Sequence, residues 1–160
     1  ADGVVTLYAQ WNAVKYQIKY NLDGGKNNKK NPKTYKITSK TIKLLNPSKK
    51  GYVFKGWYRD KKFKKKVTAI EKGSRGNITL YAKWAKEKYT ITYKLHGGKN
   101  NKKNPKTYTI TSKMIKLAAP TRKGYVFKGW YRDKKCTRKV TSIKKGSTGK
   151  ITLYAKWKKK

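Results

Sequence analysis

Apolar and polar residues alternate along much of this chain, and the alternation predicts strands. In the stretch YTITYKL at residues 89–95, Tyr89, Ile91, Tyr93 and Leu95 share one face while Thr90, Thr92 and Lys94 share the other, the period of a half-buried strand. The matching stretch at residues 16–22 reads YQIKYNL, and its three changes all fall on the polar face. Gly-Gly pairs at Gly24-Gly25 and Gly97-Gly98 end these strands, and KNNKKNPK follows as a polar loop. TYTIT and MIKLA read as two further short strands separated by Ser112-Lys113, with Pro120 closing the segment. GYVFKGWYRD is a longer aromatic strand in which alternation slips across Gly129, the mark of a bulge or close approach. KKCTRKVTSI is expected to form a short helical turn followed by an edge segment, GSTGK a turn, and ITLYAKW the closing strand. The predicted architecture is therefore mainly β with one short helix.

This series occurs twice. GYVFKGWYRDKK stands at residues 51–62 and again, letter for letter, at residues 124–135. VTLYAQW ends at Trp11 and ITLYAKW at both Trp84 and Trp157, so the chain is a tandem array with a period of 73 residues. Residues 16–84 and 89–157 are the two full modules, 85–88 a short linker, and 158–160 a basic tail. Residues 1–11 have the sequence of the terminal strand of a preceding repeat, so the chain is expected to be part of something longer. It opens without Met, has no signal-peptide-like apolar region, and has no apolar run near the length of a membrane span.

Composition changes the picture in one respect. Forty-five Lys and Arg stand against six acids, a net charge of +39, and only 36% of residues are hydrophobic. Such a balance suggests a disordered basic tail, but 13 Tyr and 5 Trp at strand-like spacing argue for small folded modules with cores of large rings. At about 70 residues a module of this kind is marginal alone, so neighbouring repeats are expected partners.

About three quarters of aligned positions are identical between the modules, yet individual lysines move: Lys19 aligns with Thr92, Lys36 with Thr109, Asn77 with Lys150 and Glu71 with Lys144. The total is kept, with 20 basic and 3 acidic residues in the first module and 19 and 1 in the second. A site that reads a ligand atom by atom holds its donors in place, whereas a field attracting a polyanion needs only the sum. Lysine outnumbers arginine 40 to 5, which favours loose, sequence-blind contact over bidentate reading of bases or paired phosphate oxygens. The basic loop Lys26, Lys29, Lys30 and Lys33 recurs as Lys99, Lys102, Lys103 and Lys106, and the turn lysines Lys61 and Lys62 recur as Lys134 and Lys135. These twelve are the candidate polyanion-binding residues. Plain solvated charge is the competing reading, and enrichment of Lys and Asn by AT-rich coding would give it without selection. The same coding bias should also raise Glu, which is scarce here. Dense uncompensated charge further predicts that added salt raises the melting temperature, and a flat or falling trend would count against it.

Other chemistry finds little support. His96 aligns with Asp23 before the Gly-Gly pair and reads as an exposed turn residue; Asp60 and Asp133, in their shared WYRD context, read as turn caps or surface ion partners without a second carboxylate nearby. GGKNNKK lacks the Gly-Lys-Ser/Thr ending and long following helix of a phosphate-cradling loop. The lone Cys136 aligns with Phe63 and reads as a small apolar filler that supports neither a disulfide nor a metal site. No cofactor is implied. Trp57, Trp84, Trp130 and Trp157 are candidate platforms for stacking on sugars, with core packing as the competing reading.

YTITYKLHGGK, then PTRKGYVFKGWY, KVTSI and the terminal ITLYAKW closely resemble the Listeria–Bacteroides repeat, or internalin B-repeat, of surface and secreted bacterial proteins. The resemblance covers both modules and the N-terminal stub. It implies a β-grasp (ubiquitin-like) fold, hence an α+β class that is mainly β, an extracellular setting on the cell surface or wall, and a role as spacer or adhesive module without catalytic residues. This chain departs from the ordinary pattern in being far richer in lysine. The setting favours teichoic acid and sulfated glycosaminoglycan as partners over acidic capsule and sequence-independent extracellular nucleic acid. The alternatives are a passive stalk that projects another domain and an aromatic glycan-binding module.

Overall fold

The two-residue period has a direct structural counterpart in the computed structural model, which describes residues 3–160. Fourteen strands follow one another among the described residues: β1 (Lys15–Asn21), β2 (Thr34–Lys36), β3 (Ile42–Lys43), β4 (Tyr52–Tyr58), β5 (Lys66–Val67), β6 (Ala69–Ile70), β7 (Ile78–Lys86), β8 (Tyr89–Lys94), β9 (Thr107–Tyr108), β10 (Ile115–Lys116), β11 (Tyr125–Tyr131), β12 (Lys139–Val140), β13 (Ser142–Ile143) and β14 (Ile151–Lys159). Contacts group residues up to Lys49 with Phe54–Trp84 in one unit, and Lys50–Val53 with Ala85–Lys160 in a second. The first holds a five-stranded sheet in the order β2-β1-β7-β4-β5 and a small β3-β6 ribbon. The second repeats this as β12-β11-β14-β8-β9 with β10-β13.

In each sheet the first strand runs parallel to the last. Ile18 sits opposite Ile78 in the β1–β7 pair, and Ile91 opposite Ile151 in the β8–β14 pair. These central strands bury their alternate residues: Ile78, Leu80 and Ala82 along β7, and Ile151, Leu153 and Ala155 along β14. Trp57 and Trp130, each 2% exposed, fill the middle of the two cores, with Phe54 and Phe127 set edge-on at ring centroids 5.4 Å away.

Two glycines carry the sequence through places where a side chain would not fit. At Gly129, with φ of 136°, the β11–β14 register shifts by one residue, the bulge expected from the broken alternation; a Cβ there would lie 2.7 Å from Cε of Lys139. Gly98 lies under Trp157, where a Cβ would come within 2.6 Å of the indole.

The expected helix is not formed, and the fold is mainly β without an α component among the described residues. Between β11 and β12 the chain makes a turn in which Cys136 takes φ of 55°, and Phe63 takes φ of 54° at the same place in the first unit. A left-handed residue interrupts a right-handed helix, and a carboxylate described below holds the backbone in this alternative. The strands expected over TYTIT and MIKLA shrink to two residues each, Thr107–Tyr108 and Ile115–Lys116. No helix is long and apolar enough to cross a membrane among the described residues. Residues 3–14 have no regular secondary structure, and Val4, Val5, Leu7, Tyr8 and Trp11 are exposed. Ala1 and Asp2 of the expected terminal strand lie outside the described residues.

Candidate functional site

The basic loop is built by its asparagines. After the Gly-Gly turn, Asn31 turns inward to 6% exposure; its amide nitrogen donates to Asn27 Oδ1 (2.8 Å) and to the Leu45 carbonyl (2.9 Å), while its Oδ1 accepts from Leu45 N (2.8 Å). Asn28 Oδ1 accepts from Lys30 N. Asn104 repeats the arrangement in the second unit, bonded to Asn100 and to both backbone groups of Ala118. The asparagine amide thus imitates one residue of strand pairing, closing a segment that would otherwise leave backbone groups unsatisfied. This explains why KNNKKNPK recurs unchanged, and it makes the asparagines the residues whose place is fixed. Lys26, Lys29, Lys30 and Lys33, with Lys99, Lys102, Lys103 and Lys106, ride this frame and are exposed.

The second cluster stands on a turn fastened by aspartate. Asp60 accepts from Lys64 N and from Lys65 N (2.7 Å), and Asp133 accepts from Thr137 N, the Thr137 hydroxyl and Arg138 N (2.8 Å). Hydrogen bonds from Lys65 N, and from Thr137 N in the second unit, hold the two carboxyls below the usual carboxylate range. Lys61, Lys62, Lys134 and Lys135 project from these turns and are exposed.

The loop leaving Lys94 and the turn leaving Tyr131 both start level with Tyr154, on either side of β14, and because β8 runs parallel to β14 and β11 antiparallel to it they depart in opposite directions. The loop then returns along the far edge, where Ile91 N donates to the Lys106 carbonyl.

The remaining candidates are placed as follows. Trp57 and Trp130 are buried and donate to the carbonyls of Leu45 and Ala118, so they present no face to a sugar. Trp84 and Trp157 are partly buried against the cores and donate to the carbonyls of Leu22 and Leu95. His96 is an exposed turn residue with φ of 49°, its ring stacked on Tyr154 at 6.4 Å. Cys136 is a free, half-buried thiol in the Asp133 turn.

One feature escaped the sequence reading. Arg132, Arg138, Lys150, Ile151, Thr152 and Tyr154 line an open cleft of about 490 Å³ in the second unit. Arg132 and Arg138 meet across the β11–β12 turn, and Lys150 to Tyr154 join them through the β11–β14 pairing. The available signal was that two of the chain's five arginines flank Asp133.

With this arrangement established, the relationships of the chain are informative. The model of the Listeria–Bacteroides repeat domain matches residues 16–83 and again 89–156, and the chain belongs to that family. It is 32% identical over 153 residues to a protein named putative Gly-rich membrane protein from Evansella cellulosilytica, covering 96% of this chain and 17% of the relative. It is 37% identical over 115 residues to internalin H of Listeria monocytogenes, covering 71% of this chain and 20% of that protein. The chain thus spans about a fifth of the length of these relatives. No solved structure matches it.

Proposed function

We propose that the chain is a non-enzymatic tandem-repeat segment of a bacterial surface protein that adheres electrostatically to anionic polymers such as teichoic acid or sulfated glycosaminoglycan. The observation that carries this reading is the state of the charges. All twelve lysines singled out from the sequence stand in solvent, while the carboxylates of Asp60 and Asp133 are occupied by backbone N–H groups of their own turns. Six acids against forty-five Lys and Arg leave a net +39 with little compensation. Such a surface gathers a flexible polyanion without a specific pocket, and two modules on one chain multiply weak contacts through effective concentration. The names of the relatives, an internalin and a membrane protein, support an extracellular setting on the cell surface or wall.

We further infer that each module is a β-grasp sheet that lacks the helix. The support is the strand order, in which first and last strands lie parallel at the centre and the second strand flanks the first. Residues 1–11 are proposed to be the closing strand of a preceding module, because VTLYAQW matches ITLYAKW and its large apolar side chains are exposed.

Binding of the chain to teichoic acid, heparin, duplex DNA and a neutral polysaccharide, each across a salt series, tests the adhesive reading. Expected is a steep loss with salt for the anions and no binding to the neutral polymer. Absence of anion binding at physiological salt would overturn it in favour of a passive stalk. Salt-resistant binding to the neutral polymer would favour a glycan-binding module.

A further inference from the structure

We propose that the second unit holds a discrete site for one tetrahedral, singly charged oxyanion of a polymer, a sulfate ester or a phosphodiester, in the cleft of Arg132, Arg138 and Lys150. This rests on the polyanion reading above and adds a fixed point to it.

The cleft is set up before any ligand arrives. Arg132 N donates to the Arg138 carbonyl (2.9 Å), so the two arginines are cross-strand neighbours, and Asp133 ties the intervening turn through Thr137 and Arg138 backbone groups. Lys150 enters from the start of β14, followed by Ile151, whose side chain is buried, and by the hydroxyl-bearing Thr152 and Tyr154. Three cations and two hydroxyls therefore face one open volume of about 490 Å³. The carboxylate beside them, Asp133, lies 3.6 Å from Nε of Arg138, whose side chain is 73% exposed. That carboxylate is already engaged by three hydrogen bonds from the turn. Like charges gathered in this way repel until an anion joins them, and guanidinium forks suit an oxyanion with several oxygens.

The first unit supplies the contrast. Its matching positions hold Arg59, Lys65, Asn77, Thr79 and Tyr81, one cation and one arginine fewer. The oxygen of Asn77 is committed to Gln17 N at 2.8 Å. The drifting lysines describe the bulk surface, and this cleft is where the two units part in kind.

The test is an amide chemical-shift titration of the whole chain at about 150 mM salt, where longer-range attraction is screened within roughly 8 Å. The probes are a heparin-derived disaccharide, glycerophosphoglycerol and uncharged sucrose. Saturable shifts are expected at Arg138, Lys150, Thr152 and Tyr154 with one of the two anionic probes, and the probe that saturates identifies a sulfated or a phosphodiester chain. Arg138→Gln with Lys150→Gln should weaken that binding about tenfold or more, whereas the charge-matched Lys158→Gln with Lys159→Gln, exposed at the other end of β14, should weaken it less than about twofold. Both pairs change exposed side chains, and the Asp133 turn is tied through the Arg138 backbone, so the spectrum of the remaining residues should be unchanged.

Equal loss in both double variants, or shifts spread over lysines of both units, would overturn the cleft. So would the absence of saturation by either anionic probe. If immobilised long heparin still binds in any of these cases, the diffuse electrostatic reading survives alone. If the unaltered chain fails to bind long polyanions at all, that reading falls and takes the cleft with it.

Discussion

The two units make the same fold from sequences that agree at about three quarters of their positions, and where they differ shows what each position is for. Inside, the buried residues are the same in both units. At the rim of the core, half-buried Leu45 and exposed Asn46 become Ala118 and Ala119, and beside them Leu44 is 8% exposed while Leu117 is only partly buried. Outside, charges are exchanged more freely. Asp23 bonds Lys49 at 2.9 Å in the first unit; the same two places hold His96 and Arg122 in the second, where His96 stacks on Tyr154 and Arg122 lies 3.7 Å above the ring of Tyr125. Bonds that fasten backbone recur in both units, namely those of Asn31 and Asn104 and of Asp60 and Asp133. Geometry is held while charge drifts.

The sharpest test of equal interiors is Trp57→Ala against Trp130→Ala. Each removes a nearly fully buried indole, its edge-on phenylalanine contact and its bond to a carbonyl, and each should destabilise its own unit by about 3–5 kcal/mol. Urea titration followed by amide resonances of each unit measures both. A difference between the two losses larger than about 1 kcal/mol would show that the Leu45-to-Ala118 exchange has altered the core beyond its immediate place.

Next in size is the asparagine frame. Asn31→Ala or Asn104→Ala leaves the N–H and the carbonyl of Leu45 or Ala118 without the amide, at a cost of about 1–3 kcal/mol. Lys29→Gln and Lys102→Gln on the same loops should stay within about 0.5 kcal/mol. Should the lysine changes cost as much as the asparagine changes in thermal melts, the frame would not be the reason the loop recurs.

Much of this was readable beforehand and some was not, for identifiable reasons. Strict alternation at residues 89–95 and 151–157 gave strands because one sheet face is buried and the other is wet. The slip at Gly129 gave a bulge because only a two-residue period makes a missed beat visible. A helix was expected because KKCTRKVTSI has no alternation; Asp133 read as a turn cap, but nothing local announces that it bonds backbone four and five residues ahead while Cys136 turns left-handed. Asn31 and Asn104 looked like loop polarity since their partners lie 14 residues on. The basic cleft was hidden for a related reason, as residue 150 joins residues 132 and 138 only once β11 and β14 pair.

The aspartate turns give a smaller effect, read through pH. Because the folded carboxyls of Asp60 and Asp133 titrate below their unfolded range of about 3.9, their stabilisation is full above that value. It is lost as pH falls through the folded pKa. With six acids in the chain, little other carboxylate chemistry competes for this acid limb. Melting temperature followed from pH 5 downward, with bounds of roughly 5 and 2, should decline in the unaltered chain. The decline should be shallower in Asp60→Asn and in Asp133→Asn; identical acid limbs in all three proteins would remove the turns as its cause.

The smallest effect tests whether surface pairs are free to drift. Positions 23 and 96 both take positive φ, 46° and 49°, a conformation in which Asp and His are tolerated better than most residues, so exchanging them does not strain the backbone. His96→Asp would place a carboxylate at the turn facing Arg122, as Asp23 faces Lys49. Its expected gain is under about 1 kcal/mol at low salt, and it should fade in about 1 M salt as the screening length falls to roughly 3 Å. Asp23→His should lose a similar amount with the same salt dependence. A gain or loss that persists unchanged in high salt would mean that the turn, rather than the ion pair, distinguishes the two units.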